Sequence, residues 1–434
     1  MNFDSHYNSL PYHSADNHVI LNDTLKCGVY YHVPTDTVIK IKPDNYTKLY
    51  AAINTVKEDI WSKFIFDQLN HELIKKKTTI AKHHTFYETG ILSKLTLIVA
   101  ATCNLNCSYC YADRGRYDGI EQLFMNPDMI ASYLNILLEN GVKDIKQILF
   151  FGGEPLLNIS AVESTCKAVE NLCHQGKLNS IPQYLMVTNL TICSDKIIRI
   201  IHENNISLTV SIDGPKEVHD MQRQKKDGRG SFDDIIINFE KLRQNIKNIE
   251  ATYTINHKRR NISKYALQEY LSSTFRMKKN NIEIVDVYGN PELEAGKDSD
   301  DEDFNLLHST LDDYQILSAF NSAYQSDLLC NAGYDSICLT PTGDIFPCHM
   351  FLRNKEYCMG NITTDSAKLQ PVKNESIFNK NINCSQCWAR KICHICPAKY
   401  VNDPGDIYSR KYCDRRRRYY DNLLMKVSFG KIYE

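Results

Sequence analysis

The chain has 434 residues, 51 basic against 52 acidic side chains, a formal net charge of −1 and 43% hydrophobic residues. That length supports two or three domains with sizeable cores, and the near-balance of charge excludes a strong overall field favouring nucleic acid or a membrane surface. No apolar run reaches the roughly 18 residues of a spanning helix and the N-terminus has no signal-peptide pattern; a cytoplasmic protein is expected, in which 16 cysteines point to metal or catalysis rather than disulfides.

In chain order, Val29–Val33 and Val38–Lys42 flank a Pro34–Thr37 turn and read as a β-hairpin, because β-branched and aromatic runs border turn residues. A helical stretch is expected from about Tyr46 to Lys77, with Leu49, Ile53, Ile60 and Phe64 near helical spacing. From Leu95 the pattern changes to strands at Leu95–Ala101, Ile145–Phe151, Gln183–Val187, Ile206–Ile212, Ile249–Ile255 and Ile282–Val287. Helical patterns such as Pro127–Asn140, Ala161–Leu172 and Phe232–Ile246 lie between them. Such alternation implies βαβ units and a parallel sheet, hence the α/β class. The acidic run Lys297–Asp303 sits in a polar break from Gly289 to Phe304 that reads as a linker or exposed loop.

The chemistry concentrates first at Ala101–Tyr111, where Cys103, Cys107 and Cys110 form a C-x3-C-x2-C run directly after a strand. Thiolate-only ligation selects zinc, copper(I) or iron-sulfur clusters over hard cations. Three thiols leave a cubane one ligand short of the usual four, so that one iron stays open to a non-protein ligand. The bland alternative is a loop whose thiols pack or bind zinc. The next strand runs into Gly152-Gly153-Glu154-Pro155, whose glycines would let backbone approach a ligand closely, and strand ends of a parallel sheet share one crevice.

The cysteine run, Tyr109 between its second and third thiols, and the G-G-E-P stretch together resemble the radical S-adenosylmethionine (radical SAM) superfamily. The resemblance implies a partial (β/α)6 barrel. It implies a [4Fe-4S] cluster on Cys103, Cys107 and Cys110, and S-adenosylmethionine bound by Gly152, Gly153, Glu154 and Pro155 with Tyr109 close by. Thr188-Asn189 and Ser211-Ile-Asp-Gly214 stand where related enzymes have loops beside the cofactor's ribose and carboxylate. This adds Asn189 and Ser211 as contacts, with Leu190 where the family usually has glycine. Arg223 is either a partner for the cofactor carboxylate or a solvated surface charge.

A second cysteine field follows: Cys330, then Gly343 and Cys348, then Cys384, Cys387, Cys393 and Cys396, and finally Cys413. It resembles the SPASM extension of peptide-modifying radical SAM enzymes, departing from its usual spacing by one residue between Cys393 and Cys396. That resemblance implies auxiliary cluster I on Cys330, Cys348 and Cys396 with Cys338 a candidate fourth ligand, and auxiliary cluster II on Cys384, Cys387, Cys393 and Cys413, making three [4Fe-4S] clusters in all. Cys338, in Ser336–Thr340, reads equally well as a packed strand thiol. A pair of zinc ribbons is the alternative for the whole field. Cys27, Cys166, Cys173, Cys193 and Cys358 match no ligand spacing and are expected to be structural.

The resulting organisation is a leader-peptide-binding-like α+β region at 1–90, a radical SAM partial barrel at 91–290, an acidic linker and bridging helix at 291–327, and a cysteine-rich SPASM domain at 328–434. The N-terminal region, which otherwise reads as a packing cap, resembles the leader-binding part of ribosomal-peptide maturases, where a strand edge captures an extended peptide. The function this implies is a maturase: a 5′-deoxyadenosyl radical takes hydrogen from a precursor peptide, and a thioether or carbon crosslink follows. A flavodoxin or ferredoxin is the expected electron donor; no nucleic acid or membrane partner is expected. The alternatives are an anaerobic sulfatase-type maturase making formylglycine, against which His349 replaces a typical aspartate, and a non-catalytic iron-sulfur carrier or scaffold.

Overall fold

The computed structural model describes residues 85–286, apart from short breaks at 118, 121–122, 245–248 and 256–263, and residues 331–364. It also describes the strands and turns between residues 12 and 47 and scattered positions from 387 to 428. The helix expected beyond residue 47, the acidic break, and Cys330, Cys384, Cys393 and Cys396 lie outside the described residues.

The chain divides into two compact units, one comprising 1–83, 307–330 and 375–434, the other 84–306 and 331–374. In the first, β1 (Tyr12–His13), β2 (Asn17–Asn22), β3 (Cys27–His32) and β4 (Thr37–Ile41) form an antiparallel sheet in that order. The hairpin read from sequence is β3–β4, in register Val29↔Lys40 and Tyr31↔Val38. On one face of β3, Val29 and Tyr31 are fully buried and pack in one apolar cluster with Ile20, Trp388, Tyr420, Leu424 and Met425. N-terminal and C-terminal sequence thus share a core, which no local pattern announces.

The second unit carries a nine-stranded sheet. Its strands are β6 (Lys94–Ala100), β8 (Gln147–Gly152), β9 (Gln183–Thr188), β10 (Ser207–Ile212), β11 (Ile249–Ile255) and β12 (Ile282–Asp286), each pairing in parallel with the next. Between them run α2 (Ile130–Glu139), α3 (Ile159–His174), α4 (Asp195–Glu203), α5 (Lys216–Gln222), α6 (Phe232–Arg243) and α7 (Lys264–Thr274), after a short α1 (Phe86–Thr89). A two-strand ribbon of β5 (Ile91–Leu92) and β7 (Asp144–Ile145) stands apart. Alternate residues Leu95, Leu97, Val99, Ile148, Phe150, Tyr184, Met186, Leu208 and Val210 form one core with the helices. The intervening positions Leu149, Phe151, Leu185, Val187, Thr209 and Ser211 are only half-buried. Over β8, β9 and β10 one sheet face is therefore packed by helices and the other is only partly covered, whereas on β6 Thr96, Ile98 and Ala100 are buried as well.

The sheet does not stop at its expected edge. β13 (Ser336–Leu339) pairs in parallel with β6, aligning Cys338 with Thr96, and β14 (Asp344–Phe346) and β15 (Gly360–Asn361) extend it antiparallel. Asp335 anchors the junction: its carbonyl accepts from Ser93 N–H and its carboxylate from Ser93 Oγ at 2.6 Å.

Candidate active site: the cysteine loop and its braces

The loop after β6 meets the end of β8 backbone to backbone. Gly153 N–H donates to Ala100 O at 2.7 Å and Glu154 N–H to Thr102 O at 2.9 Å, so the parallel ladder continues one step into the loop. A Cβ on Gly153 would lie 2.2 Å from Thr102 O and 2.4 Å from Thr102 C; one on Gly152, at φ +145°, would lie 2.2 Å from Ala100 O. Both glycines are needed for strand-to-loop contact, a more specific reason than approach to a ligand. Gly115, at φ +90°, presses in turn on Gly153.

The thiols sit within a lattice of donors. Leu105 N–H points to Cys103 Sγ at 3.4 Å and Asn189 Nδ2 to the same sulfur at 3.6 Å, while Arg114 N–H points to Cys110 Sγ at 3.3 Å. The last bond follows a left-handed turn, with Asp113 at φ +42° and Arg114 at φ +58°. Burial, and next the nearby Glu154 carboxylate, push the Cys103 thiol up to about 12; burial pushes Cys107 up to about 11 against the lowering field of Arg223. Among the described residues, no three His, Cys, Asp or Glu side chains are arranged around a single metal ion. Soft sulfur donors on one loop, already receiving N–H bonds, fit an iron-sulfur cluster, whose charge would reverse this preference for the neutral thiol.

Glu154 is fully buried. Its carboxylate accepts from Thr188 Oγ1 and Asn189 N–H, both at 2.7 Å, and from Leu156 N–H at 3.0 Å. Burial nevertheless pushes it up to about 7, those hydrogen bonds and the Arg223 cation pulling the other way. Pro155 opens the single turn Pro155–Asn158 that Glu154 caps.

Thr188 and Asn189 belong to this same lattice, since Asn189 Nδ2 also donates to Asn104 Oδ1 at 3.0 Å and Asn104 Nδ2 to Thr191 Oγ1 at 2.7 Å. Leu190 stands where the family usually has glycine, yet the backbone there need not differ. It adopts the left-handed conformation glycine favours, φ +51°, with its side chain in the core. Ser211 lies on the half-buried face of β10.

Arg223 is buried rather than solvated, 8% exposed, with Nε 2.9 Å from Asp213 Oδ1. Asp213, fully buried, also accepts from Tyr109 Oη at 2.6 Å. Neither Asp213 nor Thr188 stood out as a functional residue in the sequence, although both lie inside the quoted motifs.

In the second field, Cys338 is fully buried on β13, and burial followed by the field of Cys348 raises its thiol well above the ordinary value. Cys348 immediately precedes a short turn carrying His349, whose ring packs on Phe151 with centroids 4.4 Å apart. In the other compact unit, burial first and the field of Cys387 push the Cys413 thiol up, against the lowering field of Arg417, which pairs with Asp414 at 2.7 Å. Cys27 and Cys166 are buried and Cys358 is exposed.

Residues 97–258 match the Radical SAM superfamily. The chain carries a radical SAM domain. It is 29% identical to an uncharacterized protein of Methanocaldococcus jannaschii, over 66% of this chain and 95% of that one. It is 26% identical to the radical SAM cyclopropyl synthase TigE of Paramaledivibacter caminithermalis, over 45% and 42%. To the cysteine-type anaerobic sulfatase-maturating enzyme of Clostridium novyi it is 22% identical, over 78% and 96%. Among solved structures it shares its fold with anSMEcpe with bound AdoMet, at TM-score 0.56, 17% identity and 78% and 98% coverage. It also shares it with Streptococcus suis SuiB bound to precursor peptide SuiA, at TM-score 0.53, 15% identity and 92% and 99% coverage. Of the three sequence relatives one is uncharacterized, one is a radical SAM cyclopropyl synthase and one a sulfatase-maturating enzyme. No helix among the described residues is long and apolar enough to cross a membrane.

Proposed function

We propose that this chain is a radical SAM maturase of a ribosomally made peptide, forming a thioether or carbon crosslink. The observation that carries the reading is the junction of the cysteine loop with the buried Glu154 at one strand end. Cys103, Cys107 and Cys110 would hold the [4Fe-4S] cluster, Glu154 the cofactor's ammonium group, and Asn189, Ser211 and Arg223 its ribose and carboxylate. When bound, cluster and S-adenosylmethionine supply the hydrogen-abstracting radical that no side chain can generate. The protein's part is placement: the half-buried sheet face of Phe151, Val187 and Ser211 offers a sheltered wall, and the fixed backbone lattice keeps the loop from drifting.

A peptide substrate is supported by the likeness to maturases and by the N-terminal sheet. Among the described residues β4 is an edge strand, with Ile39 half-buried and Lys40 exposed, suited to pairing with an extended chain. The second cysteine field is read as a SPASM domain with two auxiliary clusters taking up the surplus electron, and the parallel strands as a partial barrel, in a cytoplasmic enzyme reduced by a flavodoxin or ferredoxin. Deleting residues before Thr85 tests the leader reading: unchanged affinity for a precursor peptide would reduce the region to a packing cap.

The second reading is an anaerobic sulfatase-type maturase, favoured by alignment along nearly the whole Clostridium novyi enzyme. Against it stands His349 after Cys348, held neutral because burial pushes it down to about 4. Mass spectrometry of the modified peptide separates the two, a crosslink losing two hydrogens between residues and formylglycine converting one cysteine or serine.

A further inference from the structure

The cysteine loop is braced from one side by residues 222–224, through backbone bonds that the cofactor contact read for Arg223 does not account for. Asn106 N–H donates to Gln224 O at 2.7 Å and Ser108 N–H to Gln222 O at 3.0 Å, so residues 222–224 run along the loop between Cys103 and Cys110. This segment is itself locked. Asp213 N–H donates to His219 Nδ1 at 3.2 Å, which leaves His219 Nε2 as the donor to Ser231 Oγ at 3.0 Å, and Ser231 Oγ donates to Arg223 O at 2.5 Å.

At the centre of this brace is the Asp213 carboxylate. One oxygen accepts from Tyr109 Oη at 2.6 Å and Gln222 Nε2 at 3.4 Å, the other from Arg223 Nε at 2.9 Å. The Arg223 guanidinium lies over the Tyr109 ring, 5.5 Å from its centroid. Tyr109 is one of the two residues between the second and third cysteines, so a hydroxyl held at its tip fixes the backbone from which both thiols project. Asp213 and Arg223 are both buried, where a charge pair is felt over a longer range than in water, and a charge-assisted bond to a carboxylate is stronger and more directional than a neutral one.

We propose that Asp213 is a positioning residue for the radical SAM cluster: through Tyr109 it holds the Cys107–Cys110 turn, and through Arg223 it sets the electrostatic potential at Cys107. Its carboxylate is engaged by Tyr109, Gln222 and Arg223, through which it acts. This inference rests on the radical SAM reading of the loop and adds to it a residue that acts through others. Hydrogen bonds and charge around the sulfurs set the reduction potential of such clusters. Neutralising Asp213 leaves the Arg223 cation uncompensated over Tyr109 in the Cys107–Cys110 turn, which favours the reduced, more negative cluster.

The test is an anaerobic redox titration of the full-length, cluster-reconstituted chain, read by electron paramagnetic resonance with iron content measured alongside. Wild type, Asp213→Asn and Tyr109→Phe are compared. The expected result for Asp213→Asn is near wild-type iron at the loop, a midpoint potential shifted positive, and an altered spectrum of the reduced cluster. Tyr109→Phe, which removes only the hydroxyl, is expected to alter the spectrum too, and the double variant to differ from the sum of the singles because both act on one bond. If Asp213→Asn fails to fold, Tyr109→Phe decides alone. A wild-type spectrum and potential in every folded variant would overturn the proposal while leaving the cluster intact; a wild-type chain with no [4Fe-4S] signal would overturn the radical SAM reading and the proposal together.

Discussion

Gly153→Ala is the sharpest perturbation of the site, because the added atom has nowhere to go. Its Cβ would stand 2.2 Å from Thr102 O, 2.4 Å from Thr102 C and 2.9 Å from Cys103 N, all backbone atoms. Ordinary contacts between such atoms are about 3.5 Å, so strand and loop must part by about 1 Å. Overpacking of this kind costs about 1–3 kcal/mol, and the movement breaks the bonds from Gly153 to Ala100 and from Glu154 to Thr102. The displaced residue, Cys103, is itself a cluster ligand in the proposed assignment, so the loss should be read in iron as well as in stability. Gly176→Ala is the control: φ there is +67° but its Cβ would meet nothing within 4 Å, leaving only the left-handed penalty of about 1 kcal/mol. Iron and sulfide per chain, with urea denaturation of the metal-free protein, are the assays. Gly153→Ala is expected to lose loop iron and stability, and Gly176→Ala to keep its iron. Full iron and wild-type cleavage of S-adenosylmethionine in Gly153→Ala would refute the idea that this contact shapes the site.

Leu190→Gly relieves a left-handed leucine, worth about 1 kcal/mol, but empties a core position, costing about 2–5 kcal/mol by analogy with leucine-to-alanine changes; a net loss is expected in urea denaturation, and a gain would mean that strain dominates. His219 is buried and pushed down to about 4, below its unfolded value of about 6.5. Its contribution is therefore intact above pH 6.5 and falls away as pH drops toward 4, by up to about 3 kcal/mol; His219→Gln should flatten denaturation measurements across that window. Arg223→Met leaves Asp213 buried without its cation and should destabilise by about 3–5 kcal/mol, measured by denaturation of the metal-free chain. The triple variant Cys103→Ala, Cys107→Ala, Cys110→Ala should reduce iron from about twelve to about eight per chain; about four irons in wild type, with zinc present, would sink the two auxiliary clusters.

The parallel strands were legible because each is a short run of β-branched and aliphatic residues, and the period of such runs is a local property of the chain. Ile249–Ile255 coincides with its expected bounds, and the others differ by a residue or two where the ladder, not composition, ends the strand. The cysteine loop and G-G-E-P stretch were legible for the same reason, since their meaning lies in spacing between near neighbours. What no local pattern carries is pairing between distant segments. Ser336–Leu339 has the composition of any short strand, yet its place beside Lys94–Ala100 depends on the loop path and on Asp335 meeting Ser93. Likewise, Val29 and Tyr31 read as hairpin residues, but their packing with Trp388 and Leu424 requires both chain ends to fold together.

From its sequence alone this protein was committed to an α/β parallel sheet with a three-thiol loop at one strand end, because hydrophobic period and ligand spacing are written within a few residues of each other. Only the tertiary structure decided how the site is held. Arg223, in a basic and polar run, could equally have faced water; it is buried because Asp213, ten residues away, offers a fully desolvated carboxylate that Tyr109, 104 residues from Asp213, also claims. Such a group is costly to bury unpaired, and which partners satisfy it is set by the convergence of strand ends in space, a quantity that no stretch of sequence contains.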